Sequence, residues 1–346
     1  MTRPIFFKVL KKFWLFPILL FSFVVVGSWQ YGQMKQPSNV VPEITPLAFV
    51  QRVDEPIHPI PLTLRLNKQK VRLGKKLFHD PQLSGDNTIS CASCHNLNRG
   101  GVDGLPVSVG IGRKKGTMNA PTVFNSAFNF KQFWDGRAES LEEQIDSPIH
   151  SDHEMGASGW KEIINKLQQS PDYMKDFKAL YEDGITSKNI KDAIAVFERS
   201  LITPNARFDK FLQGDKKALN QEEKMGYQRF KAYGCVACHQ GVNVGGNMFQ
   251  GLGVFGNYFE DRGKISPADW GRYNVTKKER DRYVFKVPSL RNIVLTSPYF
   301  HDGSVETLAE AIRIMGQYQL GRKLSDEDVD LILRFLIALT GEYEEE

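Results

Sequence analysis

The pattern of apolar and polar positions changes character twice along this chain. After the basic residues Arg3, Lys8, Lys11 and Lys12, residues 13–29 are apolar on every face, and polar sequence resumes at Gln30. A basic flank before such a run is the layout of an export signal or a signal anchor. The near-spanning length and the lack of an A-x-A site favour an anchor, while Gly27 and Ser28 suit cleavage. Residues 31–63 hold Pro37, Pro42, Pro46, Pro56, Pro59 and Pro61 with little periodicity and read as a linker, so the folded part is expected to begin near Leu64. From there apolar residues recur at helical spacing, predicting helices over 68–78, 160–181, 188–201, 221–233, 307–315 and 326–339. Ser187, Asn220 and Ser325 stand where N-caps belong, the last with Asp328 as in a capping box. Strand-like alternation is scarce, so the fold class is mainly α. Two glycine-rich stretches, 100–116 and 241–256, are long for plain connections and predict loops that wrap a cofactor.

Charge and cysteine usage narrow the chemistry. With 45 Lys and Arg against 40 Asp and Glu, interspersed to a net +5, nothing marks a nucleic-acid surface. All four cysteines fall in two C-x-x-C-H motifs, Cys91-Ala-Ser-Cys94-His95 and Cys235-Val-Ala-Cys238-His239. Two thiols one helical turn apart can form thioethers with the vinyl groups of a haem, and the adjacent histidine can reach its iron. Zinc would call for further ligands and no cysteine is left over; a redox dithiol would call for a βαβ setting that is absent. The motifs therefore predict two covalent haem c groups, with His95 and His239 as axial ligands. They also form an internal repeat, giving two c-type cytochrome domains, 64–215 and 216–346, behind an N-terminal hydrophobic segment (1–30) and linker (31–63). The ligand opposite each histidine decides whether a haem merely passes electrons or binds a small molecule.

From Leu73 to the C-terminus the sequence resembles the bacterial di-haem cytochrome c peroxidases, a family that also contains the di-haem enzyme maturing methylamine dehydrogenase. The resemblance is carried by Leu73-Gly-Lys-Lys-Leu-Phe-His-Asp-Pro81, Asn119-Ala-Pro-Thr-Val-Phe-Asn125, Phe133-Trp-Asp-Gly-Arg-Ala138, Glu154-Met-Gly156, Phe285-Lys-Val-Pro-Ser-Leu-Arg-Asn292 and Pro298-Tyr-Phe-His-Asp-Gly303. It implies a peroxidatic first haem and an electron-accepting second one ligated by Met315, with Met248 a rival. On its own a helical methionine is ordinarily packing. It further implies Glu154 and Gln144 as the pair assisting O–O cleavage, Trp134 as a stepping stone between the haems, and Asn119, Thr296 and Pro298 as oxygen ligands of calcium. Each has a plainer reading, respectively a surface loop acid, an interface tryptophan and turn chemistry.

One position departs from the family. Where many members carry an iron-binding histidine in the loop after the first motif, this chain has Ile111. The first haem is thus expected to be open in the oxidised protein, unless His150 or His153, flanking Glu154, closes it; His58, His79 and His301 read as structural or exposed. The resulting expectation is a cytochrome c peroxidase that reduces hydrogen peroxide with electrons from a small c-type cytochrome or copper protein. It would work in the periplasm, held to the membrane by residues 13–29 or released, and the family suggests a homodimer. The competing readings are a di-haem oxidase that modifies a partner protein and a non-enzymatic electron carrier.

Overall fold

The structure, a computed structural model, describes residues 55–343; the expected anchor and most of the expected linker lie outside them. Among the described residues no helix is long and apolar enough to cross a membrane.

Local sequence explains the helices. Helix α1 (Lys68–Phe78) keeps the expected bounds, and the Asn67 side chain caps it by accepting from the Gln69 and Lys70 amides at 2.9 and 3.1 Å. The single helix expected over 160–181 is two, α2 (Trp160–Gln168) and α3 (Pro171–Leu180). Pro171 has no N–H to continue the first helix, and it starts the second at N1 behind the Ser170 cap. Helix α4 (Ser187–Ser200) is capped by Thr186, and the expected cap, Ser187, is its first residue. Helix α5 (Gln221–Ala232) has a full capping box between Asn220 and Glu223. Helix α6 (Leu308–Ile314) runs into a π-turn, Met315–Gln319, and α7 (Asp326–Ile337) starts at the expected Ser325 cap. Two three-residue strands, β1 (Phe249–Gly251) and β2 (Val284–Lys286), pair antiparallel.

The folded part starts earlier than Leu64. Ile57 and Ile60 are each 1% exposed, the Gly241 amide donates to the Pro56 carbonyl at 2.8 Å, and the Glu55 carboxylate accepts from the Tyr227 hydroxyl. Two isoleucines among prolines are enough apolar surface to seat the arm, which composition alone did not reveal.

Two cores form. One joins α1 to α4 through Leu77, Phe78, Ile163, Phe177, Ile194 and Phe197; the other joins α5, α6 and α7 through Tyr227, Phe230, Ile312, Ile332 and Phe335, with Ile57. In each, a helix pair crosses at a glycine. A Cβ on Gly74 would stand 1.9 Å from the Ala193 carbonyl oxygen, and one on Gly226 would stand 1.9 Å from that of Leu331.

The repeat seen in the C-x-x-C-H motifs continues through the loops. Asn125 and Asn292 share a left-handed backbone (φ 59° each), as do Phe133 and Phe300 (69° and 68°), and the matching bridges are Gln132–Ala138 and Tyr299–Val305. Where the halves meet, the Lys286 amide donates to the Trp134 carbonyl at 2.7 Å, and its counterpart, the Asn119 amide, donates to the His301 carbonyl at 2.8 Å.

Because backbone cannot yield at the two crossings, Gly74→Ala and Gly226→Ala should each lower stability by about 1–3 kcal/mol in guanidinium unfolding. Gly251→Ala, which would meet nothing within 4 Å, should leave the midpoint unchanged. Unaltered midpoints for the first two would mean that the helices are free to slide apart.

Candidate functional site

The first motif forms a single helical turn, Cys91–Cys94, opened by a capping box between Ser90 and Ser93. His95 follows where the turn ends, and its Nδ1 hydrogen-bonds the Gly101 carbonyl at 3.2 Å. This contact orients the ring and leaves Nε2 available. Burial holds the imidazole below its ordinary pKa, hence neutral, as a metal ligand must be. The second motif repeats the device: His239 Nδ1 meets the Val244 carbonyl at 3.3 Å, and burial lowers its pKa to about 4. The glycine-rich loops supply both carbonyls. All four thiols are free. Free thiols a turn apart beside a neutral, oriented histidine fit a covalent haem at each motif.

The two surroundings differ. Cys235, Cys238 and His239 open into a cavity of about 400 Å³ whose other walls include Phe230, Leu336 and Met315. Met315 faces it from the start of the π-turn, whereas Met248 is not among its walls, and neither is any acidic residue. The first motif is instead flanked by buried carboxyl groups. Glu154 lies close enough to raise the Cys94 thiol and Glu198 close enough to raise that of Cys91. Each has an Oε2 that is buried and without a partner. Burial pushes both carboxyls up, Glu198 to about 8; Arg137 and His153 partly offset this at Glu154. Glu198 escaped sequence reading, although its place on the buried stripe Ile190-Ile194-Glu198 of α4 was a usable signal.

Residues 108–116 form a tight hairpin over Glu154. The Val109–Lys115 bridge closes it, Ile111 donates its amide to the Glu154 carbonyl at 2.8 Å, and the His153 ring meets the Lys115 carbonyl at 3.1 Å. The Ile111 side chain fills the space where Gly156 (φ 59°) has no Cβ, since one there would lie 2.1 Å from Ile111 Cδ1. His150 and His153 are exposed, each with Nδ1 on a backbone carbonyl. Gln144 ends a short helix, Leu141–Gln144, and no hydrogen bond joins its side chain to Glu154.

Trp134 stands at the meeting of the halves. Its Nε1 donates to the Asn119 carbonyl at 2.9 Å, its ring lies edge-on to His301 at 6.5 Å, and it lines the second cavity together with Asn119, Thr296 and Pro298. The Asn119 amide nitrogen donates to the Leu105 carbonyl at 2.9 Å, leaving its side-chain oxygen for a cation. His301 is buried on Asp269 at 2.8 Å; that carboxylate and Asp302 are both paired with the Arg262 guanidinium, so this acidic cluster already holds its cation.

A duplicated helical scaffold with a C-x-x-C-H site in each half defines the class, a c-type cytochrome. The family described as di-haem cytochrome c peroxidase matches residues 68–217. The cytochrome c551 peroxidase of Nitrosomonas europaea is 48% identical over 85% of this chain and 87% of its own length. The Escherichia coli cytochrome c peroxidase Ccp is 51% identical over 84% of this chain, which spans 62% of that relative. A solved MauG-like protein associated with microbial copper homeostasis superposes with a TM-score of 0.72 at 29% identity, covering 85% of this chain and 96% of that one. The chain belongs to the di-haem cytochrome c peroxidase family, and cytochrome c peroxidase, the activity class expected from the sequence, is the one these two relatives carry.

A carboxyl whose folded pKa is raised contributes stability below its ordinary pKa of 4.5 and loses it as pH rises through the folded value, about 8 for Glu198. Glu198→Gln, always neutral, should therefore outlast the parent in denaturant at pH 9 and lose that advantage at pH 4. Equal midpoints at both pH values would place Glu198 in contact with water.

Proposed function

We propose that the protein reduces hydrogen peroxide to water at the first haem, using electrons accepted at the second. The observation that carries this reading is the division of chemistry: buried carboxyl groups with unpartnered oxygens flank the first motif, and none lines the cavity of the second. Each peroxide consumes two electrons and two protons and yields two waters, so proton-carrying groups belong where the O–O bond breaks. The haem held through Cys91, Cys94 and His95 supplies the redox centre for that cleavage. Glu154 takes a proton from one peroxide oxygen and returns it to the other, which leaves as water. A carboxyl raised toward the working pH does this better than an exposed one. Gln144 orients the peroxide beside it.

The second site accepts electrons. His239 and Met315 would hold its haem, and a thioether ligand would favour the reduced state, which suits uptake from a small c-type cytochrome or copper protein. Trp134, reaching from the first half into the second cavity, carries electrons between the sites. Calcium held by the Asn119 side-chain oxygen and the Thr296 and Pro298 carbonyls would brace that junction. Export to the periplasm, with residues 13–29 as anchor, completes the reading. The partner-modifying alternative is disfavoured by Met315, which stands where the methylamine dehydrogenase-maturing relative has tyrosine.

Ile111 sets the resting state. Its side chain has no lone pair to offer iron and is packed on Gly156, and the neighbouring His150 and His153 are exposed. A haem held at the first motif would therefore find no ligand in this loop and would meet peroxide without prior reduction. Stopped-flow mixing of the fully oxidised holoprotein with stoichiometric peroxide should show rapid loss of the high-spin signal; reaction only after one electron is added would mean that His150 or His153 closes the iron.

Glu154→Gln should lower peroxide turnover by about 10²–10⁴-fold while the absorption of the second haem stays unchanged. A loss under tenfold would remove Glu154 from the proton path.

A further inference from the structure

Lys286, on β2, is buried at 6% exposure and lines the same cavity as His239 and Met315. Among the described residues its side chain has no ion pair and no hydrogen bond. Desolvation alone drives its pKa down to about 8, with no neighbouring acid opposing the shift. Lysine is almost never fully buried unless paired, because an ammonium taken out of water gives up its hydration for nothing. The cavity has no acidic wall to pair with it. The missing anion must come from whatever fills the space, and a haem c joined through both vinyl groups still carries two propionate carboxylates.

We propose that Lys286 is the counter-ion of a propionate of the second haem, fixing that haem's orientation and raising its reduction potential. This rests on the reading of Cys235, Cys238 and His239 as a haem site. The internal repeat sharpens it, because Lys286 and Asn119 are counterparts that donate their backbone amides to the carbonyls of Trp134 and His301 respectively. Of these two equivalent slots, both on the wall of the second cavity, the one on β2 carries a cation and the other a neutral amide. A fixed positive charge on that wall favours the reduced haem electrostatically.

The test is an optically monitored redox titration of the holoprotein and its Lys286→Gln and Lys286→Arg variants. In Lys286→Gln the second haem should show at least a tenfold lower ratio of reduced to oxidised form at fixed ambient potential, about 59 mV for a one-electron couple, with the first haem little changed. Lys286→Arg should restore the ratio. If Lys286→Gln loses the second haem while Lys286→Arg keeps it at the parent potential, charge is again what the site requires. An unchanged ratio in Lys286→Gln, or equal shifts in both variants, would overturn the proposal. Absence of a second haem transition from the parent protein would sink the haem-site reading along with it.

Discussion

A pair of equivalent backbone hydrogen bonds ties the two halves together, Lys286 to the Trp134 carbonyl and Asn119 to the His301 carbonyl, with a further one from Phe130 to the Gly246 carbonyl beside them. Polar backbone groups in a protein interior must be paired, so the bonds leave the loops that make them little freedom. Together they set Trp134 and His301 edge to face, and the Trp134 indole then bonds the carbonyl of Asn119. The side chain reaching into the second cavity is thereby fixed by backbone groups from both halves. Losing one bond would shift the indole and the cavity wall together.

Desolvation governs both sites with opposite results. It keeps His95 and His239 neutral, as iron ligation requires, and it raises Glu154 and Glu198 toward a pH range where a carboxyl can exchange protons. What distinguishes the motifs is which titratable side chains the fold buries beside them. The hairpin carrying Ile111 adds a geometric constraint, since its tip is tied to the Glu154 carbonyl and wedged on Gly156. The turn carrying Glu154 and the loop above it are therefore tied into one piece.

Much of this was legible in the sequence because it is local. Two thiols and a histidine in C-x-x-C-H announce their chemistry by spacing alone, and α1 and α5 carry their own caps. The break at Pro171 was also local, but helical periodicity continued across it and hid the missing N–H. The remaining surprises depend on contacts distant in sequence. Ile57 and Ile60 are ordinary in composition until the fold buries them, Ile57 in the second core. Lys286 looks like any lysine of a strand until the cavity closes around it. Met315 and Met248 are alike as residue types, and only the path of the chain after α6 brings one of them to the wall of the cavity that His239 also lines.

The shared left-handed turns and glycine crossings repeat one backbone plan in the two halves. Specialisation has fallen on a few interior side chains: glutamates beside one motif, a methionine and a lysine beside the other. Each half thus serves as an internal paralogue against which the other can be compared position by position. A scaffold of this kind lets two different chemistries share one frame, since attachment and folding follow the same plan in both halves and only a few interior side chains differ.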